Sequence, residues 1–193
     1  MWGALAVLLW GLEGATPRTA FWRAWLWGLA AWGLALHWFV RVSLEFAAGP
    51  WAWRLTLALG VIAYHGLMLA IASAGAVWTS RRLAAAGWEP HGALAVSFIP
   101  WLAAGEGLYP QVYPACVAAT QLNHLPAVQS LDLWGAGGLS LLVMVTNAGL
   151  YAAFRLPSAA TRRRALAAAA AALLVNEGYG LVRLRAGAAS AAG

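Results

Sequence analysis

The chain has 193 residues, of which 63% are hydrophobic and only 9% are charged. A soluble domain needs roughly a quarter of its residues charged to cover its surface, so this composition indicates that the solvent is a lipid bilayer. The positive charge behind the net charge of +6 comes from arginines alone, because the chain contains no lysine, and these arginines fall between the apolar runs. That distribution is typical of membrane topology and not of a nucleic-acid interface, so no nucleic-acid partner is expected.

The apolar runs predict an all-α, polytopic membrane bundle of about six helices, since each span needs roughly 20 residues. The first run is shorter than a full span, whereas Thr16 and Pro17 form a helix start signal before the second. We expect one helical domain over residues 1–186 and a flexible linker over residues 187–193. The predicted helices comprise residues 2–12, 20–40, 51–78, 91–108, 133–154 and 165–182.

A Pro/Tyr-rich segment, residues 109–131, separates the fourth and fifth predicted helices. Its three prolines disfavour a regular helix. Its mixture of polar and apolar side chains favours a loop that lies on the membrane surface or dips into it. Most of the twelve arginines lie in the loops after the first, third and fifth helices, and this segment has none. The positive-inside rule therefore predicts that residues 109–131 and the C-terminus lie outside the cytoplasm.

Glu106 has the strongest claim to a function, because a carboxylate at the end of a membrane run is costly unless it is paired or hydrated. It is either an interfacial helix-end carboxylate or a group that positions a substrate or a loop at the mouth of a lipid-facing cavity. His65 is interpreted as a hydrogen-bonded histidine between helices, with a proton relay as the alternative. Asn147, in the middle of an apolar run, should pair with another helix.

Other chemistries have weak support. Ser140, His124 and Asp132 share a region but no nucleophile elbow surrounds the serine. The four histidines are isolated and no metal-ligand spacing is present, so neither a metal site nor a cofactor is predicted. The single cysteine, Cys116, is interpreted as a small, partly buried residue, with reactivity as the minor alternative.

An ordered set of short motifs resembles the N-terminal membrane region of the apolipoprotein N-acyltransferase family. The family's aromatic turn corresponds to residues 37–49, with Trp38 and Ser43. Its acidic residue and following Pro/aromatic loop correspond to Glu106, Tyr113 and Pro114. Two departures are visible: His37 replaces an aromatic residue, and the arginine that usually follows the acidic residue is missing. The family's Pro/Gln, glycine-pair, Ser-x-Leu-Val and Asn signals correspond to Pro126, Gln129, Gly135, Gly138, Ser140 and Asn147.

The resemblance implies a function in lipoprotein maturation, with a phospholipid as acyl donor and a diacylated lipoprotein as acceptor. It also implies a bacterial inner-membrane protein whose chemistry belongs to a periplasmic nitrilase-like domain with a Glu–Lys–Cys triad. This chain has no lysine and cannot supply that triad, so we expect it to be a fragment or reduced relative that is inactive alone. As lipid- or substrate-positioning residues, the resemblance and the residue chemistry together nominate Glu106, Tyr113, Pro114, Gln129, Ser140, Asn147, Trp38 and Ser43.

A hypothesis from another class remains open. The chain would then be a stand-alone membrane scaffold or small carrier, with Glu106 and His65 lining a path. It predicts a stable product of this length, without an adjoining catalytic domain.

Overall fold

The structure, a computed structural model, describes residues 2–112 and 116–191, with side chains through residue 187. A short 3₁₀ helix, Val117–Gln121, lies between the fifth and sixth α-helices. The α-helices in chain order are α1 (Ala4–Gly11), α2 (Pro17–Ala35), α3 (His37–Phe46), α4 (Trp51–Ala85), α5 (Pro90–Leu108), α6 (Leu125–Val128), α7 (Leu131–Arg155) and α8 (Ala159–Ala191).

The predicted all-α membrane architecture is confirmed, and each of the six predicted helices has a counterpart: α1, α2, α4, α5, α7 and α8. Among the described residues, three helices are long and apolar enough to cross a bilayer: Trp51–Ala85, Leu131–Arg155 and Ala159–Gly187. The predicted start signal of α2 is also confirmed, because the Thr16 hydroxyl accepts a hydrogen bond from the backbone N–H of Thr19 (3.2 Å).

The prediction of the second helix was wrong in one respect, because the structure breaks it at Leu36. The backbone there leaves the helical region, and a separate helix, α3, follows as far as Phe46. Ser43 and Glu45, which were predicted to lie in a turn, therefore belong to α3. The apolar pattern continues across the break without a proline, so the sequence carries little signal for it.

Helix α1 is held between its neighbours by polar contacts at both ends. Near its start, the Ala6 N–H donates to the Asn147 side-chain oxygen in α7 (3.0 Å), which confirms that this amide pairs with another helix. Just beyond its end, Glu13 accepts two hydrogen bonds from Arg155, both 2.6 Å long. Leu5, next to the first contact, and Leu8 and Leu9, between the two contacts, are buried. The short helix is thus a packed part of the core.

Helices α2 and α4 approach closely where glycine faces glycine. A Cβ atom added at Gly28 would lie 2.8 Å from the Gly66 Cα, so only a residue without a side chain allows this separation. Close approach through small residues is a principal way in which membrane helices associate. The Trp25 indole N–H donates to the Ala63 carbonyl across the same interface (3.1 Å).

Helix α8 is longer than predicted and continues to Ala191, so residues 187–191, predicted to belong to a flexible linker, have helical backbone. Its C-terminal half packs against α6 and the start of α7. Asn176 donates to the Ala127 carbonyl (3.3 Å), and Gly180 lies directly against the Pro126 carbonyl, where a side chain would collide. Asp132 accepts a hydrogen bond from Tyr179 and pairs with Arg183. The segment before α7 is therefore attached to the last helix.

Candidate functional site

Glu106 lies in the last turn of α5, two residues before the helix ends at Leu108. Its carboxylate accepts a hydrogen bond of 2.5 Å from the backbone N–H of Val117, and the Ser140 hydroxyl lies close to it. A carboxylate at this depth is expensive without partners, and the Val117 N–H and the nearby hydroxyl supply them. Glu106 therefore has a defined structural role, because it holds the start of the 3₁₀ helix against the end of α5.

Ser140, in α7, completes this arrangement by accepting the backbone N–H of Ala118 (3.0 Å). The first N–H groups of any helix have no partner within it, and Val117 and Ala118 are the first two residues of the 3₁₀ helix. One is capped from α5 and the other from α7. We call these two side chains the Glu106–Ser140 clamp. The structure thus brings together two predicted candidates that are far apart in sequence.

An apolar cavity of about 480 Å³ borders the clamp. Side chains of α1, α2, α4 and α5 form most of its wall, and the start of the 3₁₀ helix closes one side. Glu106 is the single carboxylate among its lining residues, and Thr120 adds a hydroxyl. The lining residues are Leu5, Trp27, Ala31, Trp32, Ala35, Leu36, Trp38, Met68, Leu69, Leu102, Glu106, Cys116, Val117, Ala119 and Thr120. Such a surface can accept a hydrocarbon chain and has a polar group at one edge.

Two tyrosines fix the chain where it leaves α5. The Tyr109 hydroxyl donates to the Tyr64 carbonyl (2.8 Å), and the Tyr64 hydroxyl donates to the Pro110 carbonyl (2.6 Å). Burial, together with the hydrogen bond to Tyr64, raises the pKa of Tyr109 to about 12. The Tyr109 hydroxyl therefore remains a donor at neutral pH. Helix α4 thus holds the residues that follow α5, and the clamp holds the start of the 3₁₀ helix.

The other candidates from the resemblance divide into three groups. Trp38 lines the cavity from the start of α3. Ser43 is buried on the same helix but is not one of the cavity residues. The side-chain amide of Gln129 donates a hydrogen bond to the Leu125 carbonyl (3.2 Å) at an exposed position. Tyr113 and Pro114 lie outside the described residues. Among those of these candidates that the structure describes, only Trp38 joins Glu106 at the cavity itself.

Asn147 and His65 contribute to packing elsewhere. Asn147 is buried, and in addition to Ala6 it binds the Val143 carbonyl of its own helix (2.8 Å). His65 is 1% exposed, with its Nδ1 2.8 Å from the Val61 carbonyl and its ring 4.9 Å from that of Trp32. Trp32 lines the cavity but His65 does not. Of the two residues in the carrier hypothesis, Glu106 lines this cavity and His65 does not.

Sequence reasoning missed two components of the site. The partners of the clamp are backbone N–H groups, and backbone groups leave no trace in the residue types. Cys116 lines the cavity immediately before the clamped residues; its partial burial agrees with the prediction, whereas its position at a cavity was not predicted. The one available signal is the apolar Cys116-Val117-Ala118 stretch within an otherwise polar segment.

Comparison with known proteins gives two matches. Residues 1–149 match the family described as the apolipoprotein N-acyltransferase N-terminal domain. An apolipoprotein N-acyltransferase of Geobacter metallireducens is 31% identical over 158 residues, which cover 80% of this chain and 29% of that protein. No solved structure matches the chain. The chain thus spans less than a third of the length of the relative it matches.

Proposed function

The chain belongs to the apolipoprotein N-acyltransferase family, and we propose that it acts as the membrane domain in transfer of an acyl chain from a phospholipid to a lipoprotein. In this role it is a single membrane domain that forms a lipid-accessible cavity and anchors a catalytic domain. The acceptor is a diacylated lipoprotein. The proposed location is the bacterial inner membrane, with the C-terminus on the periplasmic side.

The cavity beside the Glu106–Ser140 clamp carries this proposal. A hydrocarbon chain needs apolar walls, and the cavity offers them from α1, α2, α4 and α5. A phospholipid or lipopeptide also has a polar end, and Glu106 and Thr120 give the cavity a polar edge. The clamp fixes the 3₁₀ helix across that edge, so the cavity keeps its shape when no ligand is bound.

The arginine distribution supports the proposed orientation. Arg81 and Arg82 at the end of α4, and Arg162–Arg164 at the start of α8, lie on the side opposite to the clamp. By the positive-inside rule that side is cytoplasmic, and the clamp then faces the outer leaflet. A catalytic domain that follows α8 would lie over the same leaflet as the cavity.

The catalytic groups must then come from outside these 193 residues, because the chain has no lysine for the triad that the family resemblance implies. We expect the purified chain to transfer no labelled acyl group from phospholipid to a diacylated lipopeptide. Transfer that is abolished by Cys116→Ala would contradict this proposal, because Cys116 is the only thiol present.

The size of the native product tests the anchoring role. An antibody against residues 109–131 should detect a membrane protein of more than twice the 20.3 kDa mass of this chain. A native product of 20.3 kDa, with no separately encoded catalytic partner in the same complex, would favour the scaffold or carrier hypothesis instead.

A further inference from the structure

A second apolar concavity, separate from the Glu106 cavity, lies between α1 and the first half of α2. Its volume is about 630 Å³. Two of its side chains point outward from the bundle, since Val7 is 54% exposed and Leu26 is 62% exposed. We call it the α1–α2 groove; it is lined by Val7, Leu8, Trp10, Gly11, Arg23, Leu26 and Trp27. Its surface is therefore apolar with a single charged side chain.

That charged side chain, Arg23, has an unusual position. It lies about 9 Å along α2 from Pro17, at a rise of roughly 1.5 Å per residue. Its guanidinium donates to the Gly11 carbonyl at the end of α1 (2.8 Å). Among the residues that the structure describes, it forms no ion pair with a carboxylate. An arginine beside apolar surface in a membrane is costly unless an anion or water meets it.

The nearest acidic residue in the chain does not meet this need. Glu13 is two residues beyond Gly11, but both of its oxygens accept hydrogen bonds from Arg155. Arg18, in the first turn of α2, adds a second positive charge near the same end of that helix. The end of the groove near the start of α2 is therefore positive, whereas its walls are apolar.

We propose that the α1–α2 groove binds one phospholipid with an anionic headgroup. An acyl chain lies against Val7, Leu26 and Trp27, and the phosphate region meets Arg23. A guanidinium suits a phosphate, because it donates parallel hydrogen bonds to phosphate oxygens. The charge pattern favours a lipid over an apolar helix of another protein, since a helix would leave Arg23 without an anion. Trp27 is the one lining residue that the groove shares with the Glu106 cavity, and all their other described lining residues differ.

Native mass spectrometry of the full chain in an uncharged detergent tests the proposal. Equal amounts of phosphatidylglycerol and phosphatidylcholine are added, and the bound lipid is counted. We expect one phosphatidylglycerol to bind at least fivefold more strongly than phosphatidylcholine. Arg23→Gln should weaken it about fivefold, the effect of one arginine near an anionic lipid. Arg54→Gln is the matched control, because Arg54 also donates to main-chain carbonyls but lies at the opposite end of the bundle.

A second variant leaves the bond between Arg23 and Gly11 in place. Leu26→Glu puts a negative charge on the groove wall and should abolish the preference for phosphatidylglycerol. Leu34→Glu, at a 78% exposed position on the same helix, should retain it. Equal binding of the two lipids by the unmodified chain, or undiminished binding in Arg23→Gln and Leu26→Glu, would overturn the proposal. So would a lipid-free dimer in which the groove is covered by a second copy.

Discussion

Replacement of Glu106 by leucine removes one half of the clamp while keeping a side chain of similar volume. The Val117 N–H then loses its 2.5 Å acceptor, and the Ser140 hydroxyl loses a neighbouring carboxylate. A buried donor left without an acceptor costs about 1–3 kcal/mol. We take about 2 kcal/mol as the amount by which the start of the 3₁₀ helix becomes easier to detach. That energy corresponds to a roughly 30-fold increase in the population of the detached state.

The chain contains its own reporter for this opening. Cys116 is the only thiol and immediately precedes the clamped residues. Because Cys116 is already partly exposed, its rate of reaction with a maleimide in detergent should rise in Glu106→Leu by a factor of at most about 30, the factor by which the detached population grows. Glu106→Gln keeps an oxygen acceptor and should give a smaller increase.

Glu89→Leu serves as the matched control for the labelling experiment. Like Glu106, Glu89 is a carboxylate that accepts hydrogen bonds from the backbone, here from the N–H groups of His91 and Gly92. It lies at the start of α5, far along the chain from Cys116. Its replacement should lower the thermal stability and leave the labelling rate of Cys116 unchanged. Equal labelling rates in the unmodified chain and in Glu106→Leu would refute the assigned role of the clamp.

Two further predictions concern the packing of the bundle. Gly28→Leu should lower the unfolding temperature in detergent by several degrees, because its Cβ would meet the Gly66 backbone. Gly33→Leu is the control and should not lower it, because Gly33 has open space around it. Equal effects of the two substitutions would contradict the close crossing. Arg155→Gln should lower the free energy of unfolding by about 1–2 kcal/mol, since the ion pair with Glu13 is only partly exposed. A double-mutant cycle with Glu13→Gln should give a coupling energy of similar size. Purely additive losses would contradict a direct pair.

The extent of the fold that could be predicted reflects which interactions are local. Helix α5 begins one residue from its predicted start and ends at Leu108 as predicted, because Pro90 and the apolar run mark those limits in the sequence. Helix α4 continues past its predicted end at Trp78 to Ala85. The charges of Arg81 and Arg82 indicate a loop, but they are equally compatible with a helix that leaves the membrane. Composition alone could not distinguish these cases.

The candidate site was predictable only in part, for a different reason. Glu106 stood out because a lone carboxylate in an apolar run is costly, and that cost depends on local sequence. Its partners depend on tertiary structure: Val117 contributes a backbone group, and Ser140 comes from another helix. Gly135 has a positive φ of 62° inside the helix that carries Ser140, a conformation that glycine adopts readily. No single-sequence pattern specifies that these elements meet.

The most direct test of the proposed lipid cavity is photocrosslinking in vesicles. A phospholipid with a diazirine at the end of one acyl chain is irradiated, and its adducts are mapped. Adducts should concentrate on cavity residues such as Leu69 and Leu102, and Ala31→Trp, which fills the cavity, should reduce them several-fold. Ala30→Trp, one residue away on the exposed face of α2, should not. Adducts confined to the outer surface, or equal yields in the two variants, would contradict a lipid cavity beside Glu106.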